Sequence, residues 1–113
     1  MIVANIINEF RSLNSRCPIQ NWDKQISHYC VNHCWAMVKN GFYHAEPHYL
    51  NDWEEIIAVC SQREIWEDTV RYLIFATIGN SIIHREILLN SSEIGYGIIV
   101  CEGNVYFTIR GRR

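Results

Sequence analysis

The sequence predicts an α+β fold with helices packed on an antiparallel sheet, and three observations point there. Apolar residues recur at helical period at the start of the chain. A second helical stripe follows with a cap at each end, and the tail alternates as a β-hairpin.

Val3, Ile6, Ile7, Phe10 and Leu13 share one helical face, which predicts an amphipathic helix over residues 2 to 14. Cys17-Pro18 breaks it, because proline disfavours the helical conformation in the residue before it. Asp23 suits an N-cap, and Ile26, Tyr29, Cys30, His33, Met37 and Val38 form the stripe of a second helix that Asn40-Gly41 ends. Residues 41 to 52 read as a loop. Ile56-Ile57-Ala58-Val59 is a short β-prone run.

Ser61-Gln62-Arg63-Glu64 has the spacing of a capping box, and Ile65, Trp66, Val70, Leu73, Ile74 and Thr77 continue at helical period. Ser81 could cap a short turn running through His84. Ile94 to Cys101 and Val105 to Ile109, joined by Glu102-Gly103-Asn104, read as a hairpin.

The chain has 113 residues, enough for one domain spanning 1 to 113. Apolar residues make up 49%, and four Trp, six Tyr and four Phe supply bulk for a core. A net charge of −2 offers no field for nucleic acid or anionic membrane. The Arg110-Gly111-Arg112-Arg113 ending is expected to be a frayed, solvated terminus. No apolar run reaches the ~20 residues of a membrane helix. The opening Met1 to Ile7 lacks a basic leader and is too short for a signal peptide.

Five cysteines, Cys17, Cys30, Cys34, Cys60 and Cys101, leave at least one thiol unpaired, and no CxxC occurs. Cys30 and Cys34 sit one helical turn apart, where buried thiols are favoured over half of a zinc site. Both the cysteine usage and the missing leader lean toward a reducing, cytoplasmic setting.

His44 lies in a loop, where functional side chains concentrate, with a plain surface histidine as the alternative. His84 sits inside an apolar stretch, where an unpaired imidazole costs about 1–3 kcal/mol. The adjacent Arg85 is expected to anchor this segment to the sheet, with an exposed pair to Glu86 as the alternative. His33, on the second helical stripe, reads as a packed and hydrogen-bonded ring. His28 and His48 carry no distinct signal.

Several segments, in order, resemble the CAP superfamily of sperm-coating, antigen 5 and pathogenesis-related proteins, and in particular its short bacterial domains. Asn8-Glu9-Phe10-Arg11 resembles the family's N-x-x-R, and Pro18-Ile19 with Trp22-Asp23 its opening of the second helix. His33, Met37, Asn40-Gly41 and His44 follow its spacing, and Asn80-Ser81-Ile82-Ile83-His84-Arg85 is similar to its N-S-P-G-H-R. Glu93-Ile94-Gly95-Tyr96-Gly97 and Tyr106-Phe107-Thr108 resemble its last two strands. Trp53, Ile82-Ile83 and Ile109 depart from the pattern.

The resemblance implies an α-β-α sandwich with a central antiparallel sheet and a cleft holding paired histidines. It places His44 and His84 as the two histidines and Glu54 as the cleft glutamate, with Glu55 the rival if the register slips by one. The family's second glutamate falls at Ser81. It also implies secretion, against the leaning of the cysteines.

His44 and His84, with one carboxylate, could hold Zn²⁺ with an open position or do acid-base work. No nucleophile stands out, since spacing supports none of Ser81, Cys60 or Cys101. The expectation is a CAP-like binding module whose histidine cleft takes a divalent metal or small polar ligand, with lipid as a further ligand class. The alternatives are a hydrolase-like enzyme using His44, Glu54 and His84, and a small intracellular interaction or effector protein with a degenerate cleft.

Overall fold

The structure, a computed structural model, describes residues 2–45 and 52–113. Helix α1 spans Ile2–Leu13 and buries Val3, Ile6, Ile7 and Phe10, each contributing about 1.5–3 kcal/mol through its burial. Two of its polar side chains bind chain that follows it. Asn8 accepts from the Ile19 amide at 2.7 Å, and Arg11 donates to the carbonyls of Cys17 at 2.8 Å and Leu88 at 2.5 Å. The N-x-x-R segment is therefore a clasp that fixes how α1 leads into the sheet.

Strand β1 is only Asn21–Trp22, and α2 follows at Lys24–Asn40. Asp23 caps α2 by accepting from the Ile26 amide at 2.9 Å. Gly41, at φ 105°, closes its other end by donating to the Met37 carbonyl. Strand β2 spans Glu54–Ser61, longer at both ends than its apolar centre suggested.

Helix α3 (Trp66–Arg71) runs straight into a π-helical segment, Tyr72–Ile78. The capping box at Ser61–Glu64 does not form: Ile65 is the N-cap and makes no side-chain bond. Thr69 supplies the polar contact instead, its hydroxyl accepting from the Arg63 amide at 2.9 Å. Helix α4 spans Ile82–Asn90, a longer element than the short turn expected after Ser81.

Strands β3 (Glu93–Cys101) and β4 (Asn104–Arg112) make the hairpin. Its two-residue turn places Glu102 at φ 50° and Gly103 at φ 79°, the left-handed pair that matches strand twist. The sheet order is β1-β3-β4-β2. The three long strands pair antiparallel, whereas the short β1 pairs parallel to β3, so the sheet is mixed at that edge.

The basic ending is not frayed. β4 reaches Arg112, Arg110 is buried, and Arg112 donates to Glu93 at 2.8 Å. The reason is pairing: β4 is flanked by strands on both sides, which leaves its last residues little freedom.

Alternation divides the sheet into two faces. One carries Ile56, Ala58, Ile94, Val105, Phe107 and Ile109 into a core shared with α1, α3, the π segment and α4. The other carries Ile57 and Ile99 under Cys34 and Met37 of α2. α2 lies close enough that a Cβ at Gly97 would stand 2.3 Å from the Val31 amide nitrogen. A Cβ at Gly95 would stand 2.5 Å from Ile26. Helices on both faces of one sheet make an α-β-α sandwich.

Candidate functional site

The loop leaving α2 carries the first histidine. Buried His33 uses Nε2 to donate to the Tyr43 carbonyl at 2.7 Å, and the two rings meet edge-on with centroids 5.2 Å apart. That bond anchors the residue just before His44.

His44 Nδ1 lies 2.9 Å from Oε1 of Glu55, and the same oxygen accepts from the Ala45 amide at 2.8 Å. A carboxylate partner places the proton on Nδ1, so Nε2 of a neutral His44 carries the free lone pair. The ring is mostly in solvent while Glu55 is buried, with side chains 57% and 8% exposed. Glu55 thus orients an accessible imidazole.

Oε2 of Glu55 is also taken. The Arg110 guanidinium donates to it at 2.5 Å, from a side chain only 5% exposed. Glu55 and Arg110 are register partners on β2 and β4, so both side chains rise on the α2 face together. Arg110 Nε has no partner among the described residues.

His84 projects from the first turn of α4 and is half-buried. Burial pushes its pKa down, and the nearby His44 pushes it further in the same direction. It is therefore a neutral ring at pH 7, within electrostatic reach of His44.

Glu54, the carboxylate the resemblance places in the cleft, turns the other way. It accepts from Arg113 Nε at 2.7 Å, and both side chains are substantially exposed. Adjacent strand residues point to opposite faces, so only Glu55 can lie beside His44. Ser81 is the N-cap of α4: its oxygen accepts from the His84 amide at 3.5 Å and so engages His84's backbone.

Arg85 does not anchor to the sheet. It reaches Asn14 and lies over the Phe10 ring, tying α4 to α1 instead. His28 is exposed on α2, and His48 lies outside the described residues.

A zinc ion needs three or four protein donors. Among the described residues no group of three His, Cys, Asp or Glu side chains is placed to hold a metal. Both Glu55 oxygens are committed, which among the described residues leaves the two imidazoles, and that donor set does not fit Zn²⁺.

The buried and half-buried thiols Cys30, Cys34 and Cys60 do not supply a reactive group either. All five are free thiols. Burial pushes Cys30 up to about 12 and raises Cys34 and Cys60 as well. Cys34 is further engaged with the carbonyls of Gly97 and Tyr106 and the Thr108 hydroxyl. These are structural thiols.

The sequence alone places Arg110 in a frayed, solvated ending and gives it no part in the site. Its signal was present in the hairpin: Tyr106, Thr108 and Arg110 share a strand face, and extending the β-pattern by one residue beyond Ile109 would have reached it.

A sheet covered on both faces by helices, with a histidine loop at the β2 edge, defines the class as an α-β-α sandwich. More narrowly, the chain has the fold of the SCP or CAP domain. NaASP2, solved with Zn²⁺, superposes with a TM-score of 0.74 at 11% identity, covering 97% of this chain and 76% of that one. An outer surface protein of Borrelia burgdorferi gives 0.69 at 16% identity, covering 99% and 90%.

An extracellular SCP-domain protein of Bacillus anthracis gives 0.62 at 18%, where this chain spans 39% of the other's length. No family model and no curated protein matches the sequence. Among the described residues no helix is long and apolar enough to cross a membrane.

Proposed function

We propose that the chain is a binding module, and that a small polar ligand sits between His44 and His84 with no metal between them. The observation that carries this reading is Glu55. With one oxygen on His44 and the Ala45 amide and the other on Arg110, it acts as a bracket for the cleft wall. His44 then presents a free Nε2, and a neutral His84 adds a second ring that both donates and accepts.

The hydrolase reading lacks a nucleophile. Ser81 faces the His84 amide, and the Cys60 thiol is raised by burial. An enzyme would need nucleophile, base and oxyanion donors in one place. Five free thiols favour a reducing compartment for this domain.

Calorimetry with Zn²⁺ and NMR titration with inorganic phosphate, as a polar probe, test the proposal together. Phosphate should shift the His44 and His84 ring signals, and Zn²⁺ should give no heat that His44→Ala or His84→Ala removes. Zinc binding lost in both variants would overturn the metal-free cleft. Ester hydrolysis abolished by His84→Ala would replace binding with catalysis.

A further inference from the structure

At the opposite edge of the sheet from Glu55 lies a concavity that neither His44 nor His84 lines. It is lined by Ala4, Asn5, Trp22, Lys24, Ser27 and Tyr96 and encloses about 510 Å³, within the range of small-molecule sites. The strand order β1-β3-β4-β2 separates it from the histidine cleft by about three strand spacings, on the order of 14 Å.

The concavity exists because β1 is so short. β1 pairs with β3 only at Glu93 and Ile94, so the edge of β3 beyond Ile94 meets α2 rather than another described strand. Ser27 satisfies that edge by accepting from the Tyr96 amide at 3.1 Å, and its own hydroxyl proton stays available as a donor.

The walls are mainly apolar. Trp22 and Tyr96 meet edge to face, with centroids 5.7 Å apart and planes at 89°, which presents a rigid aromatic corner. The polar groups around that corner lean toward donation. Lys24 is exposed at the start of α2 and pairs with no carboxylate among the described residues. The neighbouring Asp23 is occupied by the Ile26 amide, and its charge acts on Arg112. Burial raises the Tyr96 phenol, so it keeps its proton. An aromatic corner with a cation at its mouth suits an acceptor-bearing ring.

We propose that this concavity binds a small aromatic carboxylate, its ring against Trp22 and Tyr96 and its carboxylate on the Lys24 ammonium. The charge selects against neutral rings, and the two fixed rings select against flexible chains. Neither preference depends on the histidine cleft.

The test is ¹H–¹⁵N NMR titration of the whole chain with three probes: phenylacetate, its neutral isostere phenylacetamide, and octanoate. Phenylacetate should move the amides of Asn5, Trp22, Lys24, Ser27 and Tyr96. Phenylacetamide should bind the wild type about tenfold more weakly, and Lys24→Gln should weaken phenylacetate by a similar factor and leave the amide unchanged. Equal binding of acid and amide would overturn the proposal. So would octanoate binding in preference to phenylacetate, shifts centred on His44, or no response at about 10 mM, which is weaker than any useful affinity. Lys24 is at the surface, and the isostere comparison on the wild type decides the charge question without any variant.

Discussion

Glu55 and Arg110 stand directly opposite one another on β2 and β4, and their side chains meet at 2.5 Å on the sheet face that α2 covers, near Cys30. A guanidinium is fixed to the carboxylate that also holds His44. The positive charge near the carboxylate is thus built into the chain, and the orientation of His44 is set by the fold itself.

Breaking that pair from one side should be costly. Arg110→Met leaves a buried carboxylate without its cation, and the expected loss is about 3–5 kcal/mol in urea unfolding. Glu55→Gln combined with Arg110→Met removes both charges and should recover most of it. A double variant no more stable than Arg110→Met would show that the arginine stabilises through packing alone.

Acid should weaken the fold through His84. Its folded pKa lies below the ordinary 6.5, through burial first and His44 second. The unfolded chain therefore binds the proton more readily, and stability falls as pH drops through 6.5 toward the folded value. His84→Gln should flatten part of that fall in Tm measured from neutral pH downward. An unchanged slope would assign the acid sensitivity to other groups.

Two glycines should separate sterics from backbone conformation. Gly97→Ala drives a Cβ to 2.3 Å from the Val31 backbone, which cannot swing aside, so a loss of about 3 kcal/mol or more is expected. Gly103→Ala has open space around it but a φ of 79°, and should cost about 1–2 kcal/mol. Denaturant midpoints of the two variants check the ranking, and reversal would mean that α2 can lift off β3.

Thiol labelling should proceed in two stages. Cys17 is exposed and should react first in the native protein. Cys30 and Cys34 are buried with raised pKa values, so they should resist until the chain unfolds. Denatured, unreduced protein should titrate all five. One free thiol after denaturation would reveal two disulfides and an oxidising origin.

The legible parts of this fold are those written locally. Asp23 and Gly41 mark both ends of α2, and the left-handed Glu102-Gly103 turn is readable from a few residues. The π segment at Tyr72–Ile78 was not readable, because its apolar spacing passes for ordinary helix until tertiary packing widens the turn. Of the candidate site, His44 and His84 could be picked out by residue type and resemblance. Choosing Glu55 over Glu54 needs strand parity, which a one-residue slip inverts. Arg110 needed more: its meaning lies in a pairing with a strand far back in the chain, and a basic tail viewed alone looks solvated.

The placement of β4 between β3 and β2 also sets an order of events at the ribosome. β2 is synthesised roughly half a chain before Asn104–Arg112, its only strand partner among the described residues, so it emerges with both edges unpaired. At about 5–20 residues per second, that exposure lasts seconds. The apolar Ile56-Ile57-Ala58-Val59 stretch is available to other nascent chains throughout that interval. A chaperone that shields short β-prone segments should therefore matter more to the yield of this domain than to its final stability, and truncation within β4 should produce aggregates instead of a loosened monomer.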